Sequence, residues 1–237
     1  MMYEALAAFY DALVKDGEAT KRWVDFVNAH HKGKKLLEVA CGSGEITLAL
    51  AVAGYDVSAL DLSRNMLRRA QDKAGSEHIT WRHGDMRDLS SWPLFDGILC
   101  FCDSLNYLLN KVDVHTFFVQ AYTHLHASGV LLFDMHSQDR LSEFEEEYCE
   151  AGMVHGTPYE WTIQTQEDRI YHNFAFYDAD ARVTLEQHIQ RVYDPKWIQS
   201  ELEQLGFQVS VYTDFTQKGI HSGEKYFYVA VKQEKEQ

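Results

Sequence analysis

The stretch Leu36-Leu37-Glu38-Val39-Ala40-Cys41-Gly42-Ser43-Gly44-Glu45 is the part of the chain best suited to holding a ligand. An apolar run ends in small residues, and a helical pattern follows. Gly42 and Gly44 let backbone approach a ligand closely or adopt positive φ. A helix beginning behind them presents unpaired N–H groups. Turns of this kind bind nucleotide cofactors at the carboxyl ends of parallel strands. A dinucleotide site needs G-x-G-x-x-G, with the pyrophosphate on the helix N-terminus. Here the small residues fall as Ala40-x-Gly42-x-Gly44, and Thr47 stands at the third glycine position. The acid Glu38 beside the loop favours a cation, such as an amino or sulfonium group, over a diphosphate. A plain strand–turn–helix junction has the same appearance, so the loop alone decides nothing.

Two acids downstream add to it. Asp61 ends the run Val57-Ser58-Ala59-Leu60. An acid there can bind the two hydroxyls of an adenosyl ribose, and Ser63 suits a helix N-cap. In Arg82-His83-Gly84-Asp85-Met86, Asp85 can accept from an adenine amine and Met86 can pack on the ring. Taken singly, each acid also reads as an ordinary turn or cap residue.

The elements that must position these residues alternate. Lys35–Ala40, Asp56–Leu60, Ile79–His83, Gly97–Phe101 and Val130–Asp134 read as strands, several apolar throughout, as in a sheet covered on both faces. Residues 45–53, 64–74 and 114–126 read as helices between them, which predicts a parallel sheet with right-handed crossovers. Residues 2–13 and 18–30 read as two N-terminal helices. Three alternating runs, 160–166, 169–176 and 182–193, read as an antiparallel meander, with polar turns at 166–168 and 178–180. Pro195 opens a helix to Leu205 that Gly206 ends, and 207–212 and 226–231 are the last strands. The expected organisation is one domain over 1–237: N-terminal helices over 1–33, a ligand-binding core over 34–137, an antiparallel insert over about 158–194, and a closing unit over 195–237.

Composition narrows the partners. The chain has 237 residues and a formal net charge of −14. An acidic chain has no general attraction for phosphate backbones or anionic membranes. The densest basic cluster, Arg64, Arg68, Arg69 and Lys73, has helical spacing and reads as a solvated face. No Cys pair among Cys41, Cys100, Cys102 and Cys149 has zinc spacing, so no metal site and no disulfide framework is expected. The first three sit in or beside apolar runs, where cysteine acts as a small hydrophobe. With no secretory signal and no apolar run of roughly 18 residues, a cytoplasmic location is expected.

The stretches 37–44, Leu60-Asp61-Leu62-Ser63, His83-Gly84-Asp85-Met86 and Phe95-Asp96-Gly97-Ile98-Leu99-Cys100 together resemble the class I S-adenosylmethionine-dependent methyltransferases. The resemblance covers residues 34–134, and Leu205-Gly206-Phe207 before two strands is similar to that family's closing hairpin. It implies an α/β Rossmann-like fold: a seven-stranded, mostly parallel sheet with helices on both faces and its last strand antiparallel. It implies S-adenosylmethionine as cofactor, with Glu38 near the methionyl end, the backbone from Ala40 to Gly44 cradling the methionine part, Asp61 on the ribose, and Asp85 with Met86 at the adenine. The expected contacts are Tyr10, Glu38, Ala40, Cys41, Gly42, Gly44, Asp61, Leu62, Asp85, Met86 and Cys102. The family's fullest motif has glycine where Ala40 stands. Ala8-Phe9-Tyr10-Asp11 resembles a segment that closes over the cofactor, though it also reads as an amphipathic helix with Tyr10 on the core.

The implied reaction is in-line displacement at the sulfonium methyl by a small-molecule acceptor, in a monomer or homodimer. Orientation of the reactants can contribute roughly 7–11 kcal/mol, and for a hydroxyl or protonated amine a general base also helps. Acceptor-side residues should follow the fourth and fifth strands. Asp103 and Asn106 are candidate contacts, His136 is the first candidate base, and Tyr171, His172 and His221 follow it. Tyr159, Trp161, Tyr171, Phe174 and Phe176 of the meander either line the acceptor pocket or form the meander's own core. A nicotinamide oxidoreductase and a non-catalytic adenosyl-binding module use the same sheet and remain alternatives. Nucleic-acid methylation is disfavoured by charge and by the absence of an Asn/Asp-Pro-Pro-aromatic segment after the fourth strand.

Overall fold

The computed structural model of the protein describes residues 6–14, 17–178, 180 and 182–233. Successive strand–helix pairs build the first half: β1 (Lys35–Val39), α3 (Glu45–Val52), β2 (Asp56–Asp61), α4 (Arg64–Gln71), β3 (Thr80–His83), β4 (Phe95–Cys100), α5 (Lys111–His124) and β5 (Leu125–His136). Before them stand a single turn at Leu6–Ala8, α1 (Tyr10–Val14) and α2 (Gly17–His30). The expected helix over 2–13 is therefore broken where it is described, and its residues 2–5 lie outside the described residues. After β5 come α6 (Asp139–Glu143) and four strands, β6 (Tyr148–Val154), β7 (Thr157–Gln166), β8 (Arg169–Tyr177) and β9 (Val183–Arg191). Then α7 (Pro195–Leu205), β10 (Phe207–Thr213), β11 (Gln217–Lys218) and β12 (Lys225–Lys232) close the chain.

The main sheet runs β11-β10-β12-β5-β4-β1-β2-β3. Strands β1 to β5 pair in parallel, and β12 pairs antiparallel with both β5 and β10. Among the described residues the sheet has eight strands where seven were expected, because Gln217–Lys218 folds back on Tyr212–Thr213. The insert is a separate antiparallel sheet, β6-β7-β8-β9. It has one strand more than the meander expectation and begins at Tyr148. That first strand lies at the edge and is mostly exposed, so it carries no alternation of polarity to betray it.

Apolar side chains cover both faces of the main sheet. One face packs Leu37, Ile98, Leu131 and Phe133 against Val114, Phe117 and Phe118 of α5 and Ile198 and Leu202 of α7. The other packs Leu36, Leu99, Leu132 and Phe227 against Trp23, Phe26 and Val27 of α2 and Leu50 of α3. Phe133 and Tyr228 stack with centroids 4.6 Å apart across the β5–β12 pair. Each fully buried large side chain is worth about 1.5–3 kcal/mol. Helix starts follow local chemistry: Ser63 Oγ accepts from Met66 N–H at 3.3 Å, Asn110 caps α5, and Asp194 precedes Pro195 in α7. Among the described residues no helix is long and apolar enough to cross a membrane.

Gly44 sits at the start of α3 with φ +78°, and a Cβ there would lie 2.6 Å from the Trp81 ring and 2.9 Å from Ala70 Cβ. Gly42 also has positive φ, +55°, but a Cβ there meets nothing within 4 Å. Gly44→Ala should therefore cost about 2–4 kcal/mol from left-handed strain and overpacking, whereas Gly42→Ala should cost about 1–2 kcal/mol from strain alone. Chemical denaturation of the two variants checks this, and equal losses would contradict the packing at Gly44.

Candidate active site

A cavity of about 990 Å³ opens at the carboxyl ends of β1, β2 and β4. Its floor is the loop after β1. Ala40, Gly42 and Gly44 take φ of +52°, +55° and +78° in turn. Ala40 is thus an L-residue in the left-handed region, which glycine occupies without the cost of about 1–2 kcal/mol; this gives the substitution from glycine a physical meaning. Asp61, buried at the end of β2, accepts Gly42 N–H at 2.8 Å on one oxygen and Ser63 N–H at 2.7 Å on the other. Burial raises its pKa against those two bonds.

Glu38 lies under the loop, 3% exposed, and accepts from the Thr47 hydroxyl. Burial pushes its carboxyl from 4.5 up to about 8, against the Thr47 bond. Asp85 is shared with Arg87, whose Nε and Nη2 reach it at 3.0 and 2.6 Å, and Arg87 Nη1 continues to Asp113 at 3.0 Å. That guanidinium holds Asp85 below the usual carboxylate range. Lys73 is not solvated with its helix neighbours. Its Nζ reaches Ser43 O and Asp11 Oδ2, each at 2.8 Å, and Asp11 also accepts from Ser43 Oγ at 2.5 Å. The N-terminal segment is thereby tied to the glycine loop.

Tyr10, Glu38, Ala40, Cys41, Gly42, Asp61, Leu62, Asp85, Met86, Cys102 and Asp103 all line the cavity. Cys102 is exposed to it and does not act as a core residue. Gly44, Asn106, His136 and Tyr171 do not line it. Gly44 shapes the loop from behind. Asn106 is fully buried, accepting His136 N–H at 3.1 Å and donating to Arg191 O at 2.6 Å. Tyr171 lies on the other sheet face from Ile170 and His172, because strand side chains alternate. Of the meander aromatics, Tyr159, Phe174 and Phe176 form a core with Leu6, against which Phe9, Tyr10 and Trp161 pack. His221 points back to Lys218 O at 3.0 Å.

His136 is 6% exposed, and Asp103, 3.3 Å from its Nδ1, is the member of that pair that lines the cavity. His136 Nε2 faces Gln190 Oε1 at 2.9 Å, His172 Nε2 faces the same oxygen at 3.1 Å, and Gln190 Nε2 donates to Asp103 O. The site also gathers residues that no local pattern marked. Lys225 Nζ donates to Asp103 Oδ2 at 2.6 Å and to Asp134 Oδ2 at 3.1 Å, while Trp23 Nε1 meets Asp134 Oδ1 at 3.5 Å. Burial pushes Asp134 up to about 6. Burial would also raise Asp103, but His136 and Lys225 outweigh it and hold Asp103 low. Tyr107 lines the same cavity.

Glu38 gives a pH prediction. Its folded pKa of about 8 lies above its ordinary 4.5, so folding takes up a proton between those values. The contribution is intact below pH 4.5 and is lost as pH rises through about 8. Glu38→Gln should flatten that part of the stability–pH curve and be the more stable protein at pH 8. Parallel curves for the two proteins in denaturant titrations would contradict the burial of this acid.

Comparison with known proteins agrees with this geometry. Residues 36–129 match the family described as "Methyltransferase domain". The chain is 32% identical to "Putative methyltransferase YqeM" of Bacillus subtilis (strain 168), covering 98% of each chain. It is 26% identical to a glycine/sarcosine N-methyltransferase of Aphanothece halophytica over 85% of this chain and 76% of that one. A crystal structure of an S-adenosylmethionine-dependent methyltransferase from Clostridium acetobutylicum ATCC 824 superimposes with a TM-score of 0.82 at 25% identity, covering 98% and 99% of the two chains. The loop, the mostly parallel sheet and these relatives converge: the chain belongs to the class I S-adenosylmethionine-dependent methyltransferases.

Proposed function

We propose that this methyltransferase acts on a small-molecule acceptor by in-line displacement. One observation carries the reading: the cavity that begins at the glycine loop and Asp61 continues to Tyr10, Asp103, Tyr107 and Lys225. Cofactor and acceptor ends thus share one space. The glycine/sarcosine methyltransferase among the relatives supports an acceptor of modest size, and the net charge of −14 argues against nucleic acid.

The residues fit S-adenosylmethionine. Asp61 uses two acceptor positions on backbone N–H groups, and a carboxylate has about four, so two remain for the ribose hydroxyls. Gly42 leaves open space where a side chain would intrude. Glu38 lies under the methionyl part, and Met86 supplies apolar surface for the adenine. When bound, the cofactor supplies an electrophilic sulfonium methyl. The protein's task is to hold the acceptor's lone pair in line with it and exclude water. Tyr10 and Asp11 lie on the N-terminal segment, which is fastened to the loop through Ser43 and Lys73 and to the insert through Phe9, stacked 4.7 Å from Phe176.

S-adenosylhomocysteine should raise thermal stability by about 2.7 kcal/mol at a hundredfold excess over Kd, and NAD should not. Asp61→Ala should weaken that binding about tenfold to a hundredfold, the value of charge-assisted bonds. An unchanged Kd in calorimetric titration would refute the ribose role. A positive ligand beside Glu38 also lowers its pKa, so binding near pH 7 should release protons. Titrations in buffers of different ionisation enthalpy should detect this in the wild type and not in Glu38→Gln; equal proton release by both would place the amino group elsewhere.

A further inference from the structure

Asp85 and Asp61 use their oxygens differently. Asp85 Oδ1 accepts the backbone N–H of Arg87 at 2.9 Å and Arg87 Nε at 3.0 Å. Its Oδ2 accepts Arg87 Nη2 at 2.6 Å and Nε at 3.1 Å. A carboxylate has about four acceptor positions, and here one residue fills them all. Asp61 keeps two open, whereas Asp85 keeps none for an adenine amine. The guanidinium is the opposite case, because it carries five N–H donors. Nε and one N–H of Nη2 go to Asp85, and one N–H of Nη1 goes to Asp113 Oδ1 at 3.0 Å. Among the described residues this leaves one donor on each terminal nitrogen. All three side chains line the cavity. Arg87 is 40% exposed, against 29% for Asp85 and 27% for Asp113, so the guanidinium is the member most open to a ligand there.

Further bonds fix this clasp beside the ribose corner. Gly84 N–H donates to Asp61 O at 3.1 Å, so the loop carrying Asp85, Met86 and Arg87 leaves directly from the strand end that holds Asp61. Asp113 is held by Asn110, whose Nδ2 donates to its Oδ2 at 2.7 Å and whose Oδ1 accepts its backbone N–H at 2.9 Å. Arg87 therefore spans from the loop after β3 to the first turn of α5, with a fixed carboxylate on each side. Such a planar fork is pre-organised for a further bond. Half-exposed ion pairs add little to stability, so the effect of the clasp lies in where it holds those donors. Adenine offers lone pairs at its ring nitrogens and donors at its amine. Guanidinium donors match the first and not the second.

Resting on the reading above, which seats the adenine beside Met86, we propose that Arg87 reads the adenine by donating to one of its ring nitrogens, and that Asp85 is a positioning residue that holds the guanidinium and makes no bond to the amine. The site then selects its base through a lone pair, and a purine without the exocyclic amine is accepted equally well.

Calorimetric titration tests this without any methyl acceptor. The ligands are S-adenosylhomocysteine, its analogue lacking only the exocyclic amine, and its 1-deaza, 3-deaza and 7-deaza analogues, each with one ring nitrogen replaced by C–H. In the wild type, one deaza analogue should bind about tenfold to a hundredfold more weakly, the worth of a charge-assisted bond. Loss of the amine should change Kd by less than about threefold, well short of a charge-assisted bond. These measurements need no variant to fold. Arg87→Met keeps an apolar stem and removes the donors. It should weaken S-adenosylhomocysteine by the same factor and erase its advantage over that deaza analogue, and thermal unfolding without ligand checks that the variant is folded. A deaza penalty that survives Arg87→Met, or no penalty with any of the three, overturns the proposal. So does an amine-less analogue that binds the wild type more weakly by a factor of about ten or more while Asp85→Asn binds it as well as S-adenosylhomocysteine, since Asp85 is then the group that reads the amine. Each of these failures leaves the methyltransferase reading standing, because S-adenosylhomocysteine still binds. A wild type that binds none of the ligands removes both.

Discussion

The site depends on one buried carboxylate tying two backbone segments together. Asp61 leaves the end of β2 and takes the N–H of Gly42 on one oxygen and of Ser63 on the other. The first bond holds the glycine loop at the height of the neighbouring strand. The second fixes the start of α4, where Ser63 then caps Met66. Hydrogen bonds from two N–H groups, at a loop and a helix start, offset part of the desolvation cost of this acid. Around it the loop alternates three left-handed residues, which exposes backbone to the cavity where side chains would have filled it.

From that corner the cavity runs toward groups supplied by distant parts of the chain. Asp103 follows β4, Asp134 ends β5, and Lys225 begins β12. The antiparallel placement of β12 against β5 sets Lys225 opposite His136 and so beside both acids. A buried ammonium between two carboxylates keeps either from being an unpaired charge, which a low-dielectric site penalises heavily. The insert reaches the same place through Gln190, whose amide reads the Asp103 carbonyl and both imidazoles. It is therefore joined to the site by directional polar contacts as well as by its apolar face.

What the sequence disclosed and what it hid divide along this line. The strand–loop–helix at 36–45 and the acids Asp61 and Asp85 are legible because each is written within a few residues, in apolar runs, turns and caps. Lys225, Tyr107 and Gln190 are not, since their meaning comes from strand order and register. His136 is buried, with its Nδ1 3.3 Å from Asp103, a residue that lines the cavity. Strand alternation alone places Tyr171 on the face opposite Ile170 and His172. The edge strand at Tyr148 escaped for the opposite reason, as exposure on both sides erases the pattern.

A crystal structure of the protein with S-adenosylhomocysteine bears on all of this at once. The ribose hydroxyls should lie within hydrogen-bond distance of Asp61, with the adenine beside Met86 and the sulfur facing Tyr10, Asp103 and Tyr107. A ligand seated elsewhere, or a cavity closed by the protein's own side chains at saturating ligand, would contradict the account.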